Sequence, residues 1–204
     1  MRIAFLDLDH TLLTADSNEL WMEFLHQHGL VSAAEVATHD HFMGDYARGE
    51  LDFASLQEFR IRIDASLDCE KVRIFQSQFE REILLPAIAP RVPALLSELK
   101  GQGMKTIIVS ATRDSLVEPV AKHLGVDHAI SSCFGANKVT QVQAWLGVLG
   151  TSIEKLVESR FYSDSCNDLP LLDAVKTPVA VDPDGPLERI ATDRMWPVIS
   201  LRGS

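Results

Sequence analysis

This chain of 204 residues lacks several features that would place it in large classes of protein. No stretch approaches the roughly 18 consecutive apolar residues that a membrane-spanning helix needs, so we expect no membrane partner. Its three cysteines, Cys69, Cys133 and Cys166, include no C-x-x-C pair, which leaves no sign of a zinc site. Scattered cysteines, with no basic segment ahead of an apolar N-terminal run, predict a reducing, cytoplasmic location. No G-x-G-x-x-G sequence follows a predicted strand, which disfavours a dinucleotide-binding protein.

Basic residues are also in the minority. Lysine and arginine together number 19 against 29 aspartates and glutamates, and the formal net charge is -10. Proteins that bind nucleic acid without sequence preference present a basic face, so this balance argues against a nucleic-acid partner. An anionic ligand must then be held by individual cations or by a metal ion. Apolar residues make up 46% of the chain, which is enough for a hydrophobic core and argues against disorder.

The sequence beyond residue 90 alternates between two patterns. Short, apolar, β-branched runs predict strands, and stretches with helical spacing of apolar residues predict the helices between them. The predicted strands are 105–111, 127–131, 159–164, 178–182 and 196–200, and the predicted helices are 114–124, 138–150, 168–175 and 184–194. Together with the N-terminal strand, this alternation predicts an α/β fold with a Rossmann-like parallel sheet and helices on both faces.

The rhythm breaks between the first strand and residue 90, where no convincing strand is found. Helices are predicted there at 18–28, 33–47, 52–64 and 69–84, and their aromatic residues Trp21, Phe24, Phe42 and Phe59 are predicted to form a small core. We therefore predict an α/β core formed by residues 1–14 and 89–204, and an inserted helical cap domain formed by residues 15–88. An insertion at this point is expected to cover the end of the first strand.

Polar side chains follow the predicted strands at their carboxyl ends, which is where parallel α/β sheets bind ligands. The first strand delivers Asp7 and Asp9, and the next one delivers Ser110. Asp164 ends the strand predicted at 159–164, and Lys138 begins the helix after the strand at 127–131. Carboxylate oxygens suit Mg²⁺, and a lysine with a hydroxyl can hold phosphate oxygens. The set therefore predicts phosphoryl chemistry at a magnesium site.

The two N-terminal aspartates suggest two different catalytic roles, a nucleophile and a general acid–base. Asp7 is placed to attack phosphorus, because carboxylates form aspartyl-phosphate intermediates. Asp9 lies two residues further on and would point the same way along an extended strand. From there it would protonate the leaving alkoxide and then activate a water molecule.

Four motifs, in order, resemble those of the haloacid dehalogenase superfamily of hydrolases. They are "DLDHTLL" at 7–13, "IIVSA" at 107–111, "GANKV" at 135–139 and "SDSCNDLPLL" at 163–172. The helical insertion and the last motif most resemble the phosphoserine-phosphatase-like branch, which includes phosphoserine and histidinol-phosphate phosphatases. The resemblance implies a phosphatase that uses Mg²⁺ and an aspartyl-phosphate to hydrolyse a small phosphorylated metabolite.

The resemblance also implies a role for each motif residue. These are Asp7 and Asp9 in catalysis, Ser110 and Lys138 in phosphate binding, Asp7, Asp9 and Asp164 at the metal, and Thr11, Ala111, Asn167 and Asp168 in supporting positions. Asp168 would support either the water shell of the metal or the lysine. By their spacing, Asp16 and Arg60 fall near residues that meet the amine and the carboxylate of the substrate in phosphoserine phosphatases. Both are therefore candidate specificity residues.

Several of these residues also have a plainer interpretation. The plainer interpretation of Ser110 is a helix N-cap, although its position favours phosphate contact. That of Lys138 is a solvated surface lysine, and that of Arg60 is a helix-surface arginine. His10 would face away from both aspartates on an alternating strand and is predicted to be structural. A packing position is predicted for Cys166, and surface positions are predicted for His26, His28, His39 and His41.

Other functions are compatible with parts of the pattern. The first is a phosphate-binding or regulatory protein that keeps the site but turns over poorly. The second is a phospho-acceptor signalling domain, which also carries acidic residues, a hydroxyl and a lysine. The D-x-D-x-T spacing and the helical insertion argue against the second. Nothing in the sequence indicates an oligomeric state.

Overall fold

The N-terminal apolar run forms the third strand across a six-stranded parallel sheet. The computed structural model describes residues 1–67 and 69–203. Its strands are β1 (Arg2–Leu6), β2 (Lys105–Val109), β3 (His128–Ile130), β4 (Glu158–Ser163), β5 (Thr177–Val181) and β6 (Val198–Ile199). They lie in the order β3-β2-β1-β4-β5-β6, and every neighbouring pair is parallel. The predicted α/β fold with a parallel sheet is confirmed.

Side chains that alternate along the central strands form the core beneath the sheet. Ile3 and Phe5 on β1 pack in one buried cluster with Ile107 and Val109 on β2 and with Phe161 on β4. A strand presents alternate residues on the same face, which explains this spacing. The register between β1 and its two neighbours fixes the positions of the residues that follow each strand.

The α-helices in the described part of the chain are α1 (Ser17–Gln27), α2 (Ala33–Arg48), α3 (Phe53–Ser66), α4 (Cys69–Phe79), α5 (Val92–Gly101), α6 (Asp114–Leu124), α7 (Ala136–Val148), α8 (Leu169–Ala174) and α9 (Gly185–Asp193). The sequence interpretation missed α5, although Val92, Leu96 and Leu99 are buried and have helical spacing, and Pro93 lies in the first turn, where proline is favoured. Helix α7 begins two residues before its predicted start, so Lys138 lies in its first turn.

The chain forms two compact units, Met1–Ala15 with Ala87–Ser204, and Asp16–Pro86. The first contains the sheet and the second contains helices α1 to α4. That these units act as a catalytic core and a cap stays a prediction. No helix in the described ranges is long and apolar enough to cross a membrane.

The helical unit has an aromatic interior, in agreement with the predicted positions of Trp21 and Phe24. The rings of both residues pack against Phe79, with centroids 5.0 and 5.4 Å away. Phe59 is buried, whereas Phe42 is only half-buried with its ring 5.7 Å from that of Phe59. The helix predicted at 69–84 ends as an α-helix at Phe79 and continues as a π-helical turn, Glu80–Leu84.

His39 on α2 contradicts the prediction of a surface histidine, because its exposed fraction is 1%. Val36, three residues before it, and Phe42 and Met43, three and four residues after it, are half-buried and share its helix face. This apolar spacing carries the imidazole inward and is the signal that the sequence interpretation missed. His26, His28 and His41 are exposed, as predicted.

Candidate active site

Three candidate residues are each the first residue beyond one of three adjacent strands. Asp7 follows β1, Ser110 follows β2 and Asp164 follows β4. The strand pattern of hydrogen bonds continues for one further residue, since Asp7 N donates to Tyr162 O at 2.9 Å and Ser110 N donates to Ile130 O at 2.9 Å. The parallel register therefore brings a carboxylate, a hydroxyl and a second carboxylate to one edge of the sheet.

Lys138 joins this edge from the first turn of α7. Its Nζ donates to Asp7 Oδ1 at 2.6 Å and to Asp168 Oδ2 at 2.7 Å. Only 2% of the lysine is exposed, so the alternative of a solvated surface lysine is wrong. A buried ammonium group needs compensating carboxylates, and here it has two. Of the two supporting roles predicted for Asp168, the structure places it on the lysine.

Ser163 is a polar residue of the site that the sequence interpretation missed. It is the last residue of β4 and is fully buried, and its Oγ donates to Asp168 Oδ2 at 2.7 Å. The same oxygen accepts from Lys138. Its position directly before Asp164, at a strand end that carries other site residues, was the available signal. Ser163 therefore fixes the carboxylate that in turn holds the lysine.

Burial makes Asp7 an unusual aspartate. Its pKa is raised from 3.8 to about 6, because burial disfavours the charged form more strongly than Lys138 favours it, and the charge of Asp168 adds to the rise. At neutral pH the carboxylate is still mostly ionised, and Lys138 contacts one of its oxygens. Asp7 is thus an ionised, poorly hydrated carboxylate, which is the state a nucleophile requires.

Thr11 holds Asp164 through two contacts. The Asp164 N–H donates to Thr11 Oγ1 at 3.0 Å, and this hydroxyl donates to Asp164 Oδ1 at 2.9 Å. Burial of the Asp164 carboxyl group raises its pKa well above the usual value, and the charge of Asp7 raises it further. The two carboxylates are therefore close enough to repel each other when both are ionised.

Asp9 does not lie on an extended strand, which corrects the geometry inferred from the sequence. Strand β1 ends at Leu6, and Asp9 and His10 lie in a turn where His10 has a φ of 56°. The alternation argument therefore fails for both residues. Asp9 instead reaches the neighbouring strand end, where the Thr112 hydroxyl donates to its Oδ2.

Ser110 is not a helix N-cap, since α6 begins at Asp114 and its N-cap residue is Arg113. The Ser110 Oγ accepts from the Thr112 N–H at 3.1 Å and is buried at the strand end. Thr112 thus connects Ser110 with Asp9. Of the remaining supporting residues, Ala111 is half-buried beside Ser110, and the half-buried Asn167 donates its N–H to Ser165 Oγ.

The donor set of this edge fits a magnesium ion. Asp7 and Asp168 are buried and both contact Lys138, whereas the half-buried Asp164 has no cation among the contacts described. No group of three or more His, Cys, Asp or Glu side chains with metal-holding geometry occurs among the described residues. Mg²⁺ does not need one, because it commonly takes one or two carboxylates and keeps several waters. Asp7 and Asp164, with the backbone carbonyl of Asp9 that the family resemblance implies as a ligand, would hold the ion, which would relieve the repulsion between the carboxylates.

We expect Asp164→Asn to stabilise the metal-free protein at neutral pH. Folding raises the pKa of the Asp164 carboxyl group, so the protein loses stability as pH rises toward that raised pKa. Below the pKa that the group has in the unfolded chain, the carboxyl group is neutral in both states and this loss is absent. The amide is uncharged and keeps an oxygen for the Thr11 hydroxyl. The variant should gain roughly 1 kcal/mol, or about 2–4 °C in Tm, in chelator at neutral pH, and nothing near pH 4.

Thermal unfolding with chelator and with Mg²⁺ tests this expectation. Mg²⁺ should raise the Tm of the wild type and have little effect on Asp164→Asn. The exposed Asp173, which pairs with Arg194, provides the control, and Asp173→Asn should respond to Mg²⁺ like the wild type. A metal-free Asp164→Asn that is less stable than the wild type at neutral pH would contradict the electrostatic interpretation.

The two candidate specificity residues belong to the helical unit. Asp16 is the N-cap of α1 and accepts from the N–H groups of Asn18 at 2.8 Å and Glu19 at 3.0 Å. Arg60 is 5% exposed, so it is not a helix-surface arginine, and its Nη1 donates to Gln57 Oε1 at 3.3 Å. Their roles toward a substrate stay predictions. Cys166 is half-buried and has a pKa raised by burial, which fits its predicted packing role.

Comparisons with known proteins agree with the motifs. The sequence profile of the haloacid dehalogenase-like hydrolases matches residues 4–173. A histidinol-phosphatase of Neisseria meningitidis is 32% identical over 219 aligned positions, which cover 98% of this chain and 99% of that protein. The crystal structure of a protein of unknown function from Bordetella pertussis Tohama I has 33% identity and a TM-score of 0.89, and the match covers 98% of both chains.

A more distant structure has the same fold. It is described as a phospho-aspartyl intermediate analogue of phosphoserine phosphatase, with 16% identity and a TM-score of 0.65 over 99% of this chain and 93% of that one. The family profile spans most of the chain, and the N. meningitidis relative matches it from end to end. The predictions of family, fold and enzyme class are therefore confirmed: this chain belongs to the haloacid dehalogenase-like hydrolase family and is a phosphatase.

Proposed function

We propose that this phosphatase is a Mg²⁺-dependent phosphomonoesterase that acts through an aspartyl-phosphate on a small phosphorylated metabolite. The observation that carries the proposal is the buried contact of Lys138 Nζ with Asp7 Oδ1, at an edge where Ser110 and Asp164 also converge. A buried carboxylate against a lysine is suited to attack an electrophile that carries negative oxygens. A cytoplasmic location stays a prediction from the cysteine content.

The residues of the edge divide the reaction between them. Asp7 attacks phosphorus, the P–O bond to the leaving alkoxide breaks, and the phosphoryl group is transferred to the carboxylate oxygen. Ser110 and Lys138 donate to the non-bridging phosphoryl oxygens, and Asp168 and Ser163 keep the lysine in place. When bound, Mg²⁺ would neutralise charge on the transferring phosphoryl group. A water molecule then attacks phosphorus and releases Asp7 and inorganic phosphate.

Asp9 supplies the proton for the leaving alkoxide and later accepts one from the attacking water. The Thr112 hydroxyl orients it by donating to one carboxylate oxygen.

We expect Asp9→Asn to lower kcat by about 10²–10⁴-fold, since proton transfer by a positioned side chain is worth that much. The loss should be smaller for formation of the phosphoenzyme from p-nitrophenyl phosphate, whose leaving group needs little protonation. Rapid-quench measurement of the first turnover tests this difference. Equal losses of rate in formation and in hydrolysis of the phosphoenzyme, for p-nitrophenyl phosphate and for an alkyl phosphate alike, would exclude the acid–base role.

The proposed substrate class is supported by the relatives and by two residues of the helical unit. The N. meningitidis relative is named a histidinol-phosphatase, and histidinol phosphate is therefore our first candidate, with phosphoserine as the second. The buried Arg60 and the half-buried Asp16 are the proposed specificity residues, because a site that binds a polar group rejects analogues that lack it. Histidinol phosphate has an amine but no carboxylate, so Arg60→Ala separates the two candidates. We expect the substitution to lower kcat/KM for phosphoserine more than for histidinol phosphate or p-nitrophenyl phosphate.

A panel of phosphorylated metabolites, assayed for phosphate release with Mg²⁺ and with chelator, tests the proposed function. We expect release from at least one small phosphomonoester, loss of that release in chelator, and its return with Mg²⁺. Full activity in excess chelator would contradict the metal dependence. Binding of inorganic phosphate without turnover of any compound would favour the phosphate-binding or regulatory protein instead.

A further inference from the structure

The carboxylate of Asp184 connects two segments of the sheet-containing unit. Asp184 is the N-cap residue of α9, and its Oδ1 accepts from the Leu187 N–H at 2.7 Å. Its Oδ2 accepts from the Cys166 N–H at 2.8 Å, in the loop that follows β4. A helix cap needs only one of these oxygens. The second oxygen is therefore engaged in something other than capping.

The backbone of the same residue contacts the proposed metal ligand. The Asp184 N–H donates to the carbonyl oxygen of Asp164 at 2.8 Å. Asp184 thus holds Asp164 directly and, through the Cys166 N–H, the residue two positions further along the chain. Thr11 holds Asp164 from another segment through its N–H and its Oδ1. The orientation of the Asp164 carboxylate is set by these two partners together.

In the contacts described, the N–H groups on either side of Cys166 bond to side chains nearby in the sequence, which makes the contribution of Asp184 distinct. Ser165 N donates to Ser163 Oγ and Asn167 N donates to Ser165 Oγ, each at 3.2 Å. These bonds fold the loop upon itself but do not attach it to the rest of the sheet edge. The Cys166 N–H is attached instead to a residue 18 positions away in sequence.

We propose that Asp184 is a positioning residue for Asp164 and that it sets the affinity of the site for a divalent cation. The inference rests on the proposed magnesium site. Asp184 acts by holding the backbone on both sides of Ser165, so that the Asp164 carboxylate is oriented before a cation arrives. Partners of this kind, which orient a metal ligand without touching the metal, typically contribute about 10–100-fold to metal affinity.

Two substitutions separate this role from helix capping. Serine is a good N-cap, so Asp184→Ser keeps the cap of α9, but its side chain is too short to reach the Cys166 N–H as well. Asp184→Asn keeps one carbonyl-type oxygen, so it can accept from Leu187 or from Cys166 but not from both. Asp52→Ser is the matched control, since Asp52 caps α3 and accepts only from Ala54 and Ser55 in the described contacts.

Calorimetric titration with Mg²⁺ and thermal unfolding in chelator provide the test. Both Asp184 variants should raise the Kd for Mg²⁺ by about 10–100-fold, and Asp52→Ser should leave it unchanged. All three should lower the metal-free Tm by no more than about 4 °C. Saturating Mg²⁺ should restore most of the kcat of the Asp184 variants, because the ligand Asp164 itself remains.

Three outcomes would overturn the inference or its foundation, and they are distinguishable. Wild-type affinity for Mg²⁺ in both Asp184 variants would make Asp184 a helix cap only. A raised Kd together with a kcat that stays low in saturating Mg²⁺ would place the effect of Asp184 on the reaction itself and contradict its role in positioning the metal ligand. A wild-type protein that binds no Mg²⁺ would instead contradict the proposed function on which the inference rests.

Discussion

Asp7→Asn is expected to abolish phosphate release, with a loss of at least about 10⁴-fold in kcat for every substrate. An amide neither attacks phosphorus nor ligates Mg²⁺ well, so the substitution removes the nucleophile and weakens the metal site together. The fold should survive, because asparagine keeps the shape of the side chain and an oxygen that can accept from Lys138 Nζ. It also removes a carboxyl group whose pKa burial has raised to about 6.

Mass spectrometry separates the covalent mechanism from simple loss of binding. Wild-type protein quenched in acid during turnover should carry one phosphoryl group on the peptide that contains Asp7, and Asp7→Asn should carry none. Asp173→Asn, at an exposed position of the same unit, should retain both the phosphoryl group and wild-type rates. Near-normal turnover in Asp7→Asn would show that the aspartyl-phosphate mechanism is wrong.

The sequence was sufficient to predict which strand ends meet, because parallel pairing brings the carboxyl ends of strands to the same edge. Asp7, Ser110 and Asp164 could therefore be assigned to one site without knowledge of a contact. Strand pairing alone could not assign Lys138 to the site, since only the order of the motifs distinguished it from a surface lysine. Its burial between Asp7 and Asp168 depends on the exact start of α7, and helix boundaries are the least predictable feature of a sequence.

Other features could not be predicted because they depend on turns and side-chain networks. The end of β1 at Leu6, before both aspartates, places Asp9 in a turn and overturns the argument from strand alternation. The contact of Asp184 with Cys166 joins two segments 18 positions apart, and that of Ser163 with Asp168 depends on how the chain turns after β4. No spacing along the chain encodes either contact. His39 was misjudged for a different reason, since a polar residue type was given more weight than its position on an apolar helix face.

Lys138→Met is expected to be the most destabilising single change at this edge. Methionine fills a similar length of side chain, but Asp7 and Asp168 then face each other buried and without their shared cation. Removing one partner of a buried ion pair costs about 3–5 kcal/mol in the free energy of unfolding, because the remaining charge is left uncompensated. The exposed Lys155 offers the control, and Lys155→Met should change stability by no more than about 0.5 kcal/mol.

The destabilisation by Lys138→Met should depend on pH in a defined direction. Lys138 lowers the pKa of Asp7, so its removal raises that pKa beyond the present value of about 6. When folding raises the pKa of a carboxyl group, the protein loses stability as pH rises toward that pKa. At more acidic pH the group is neutral and costs no stability. Chemical denaturation in chelator should therefore show a large loss at about pH 8 and a smaller one at about pH 5. Adding Asp7→Asn to Lys138→Met should recover part of the lost stability, because it removes one of the two uncompensated charges. A double variant that is less stable than Lys138→Met alone would mean that the lysine stabilises the fold by packing and not by neutralising Asp7.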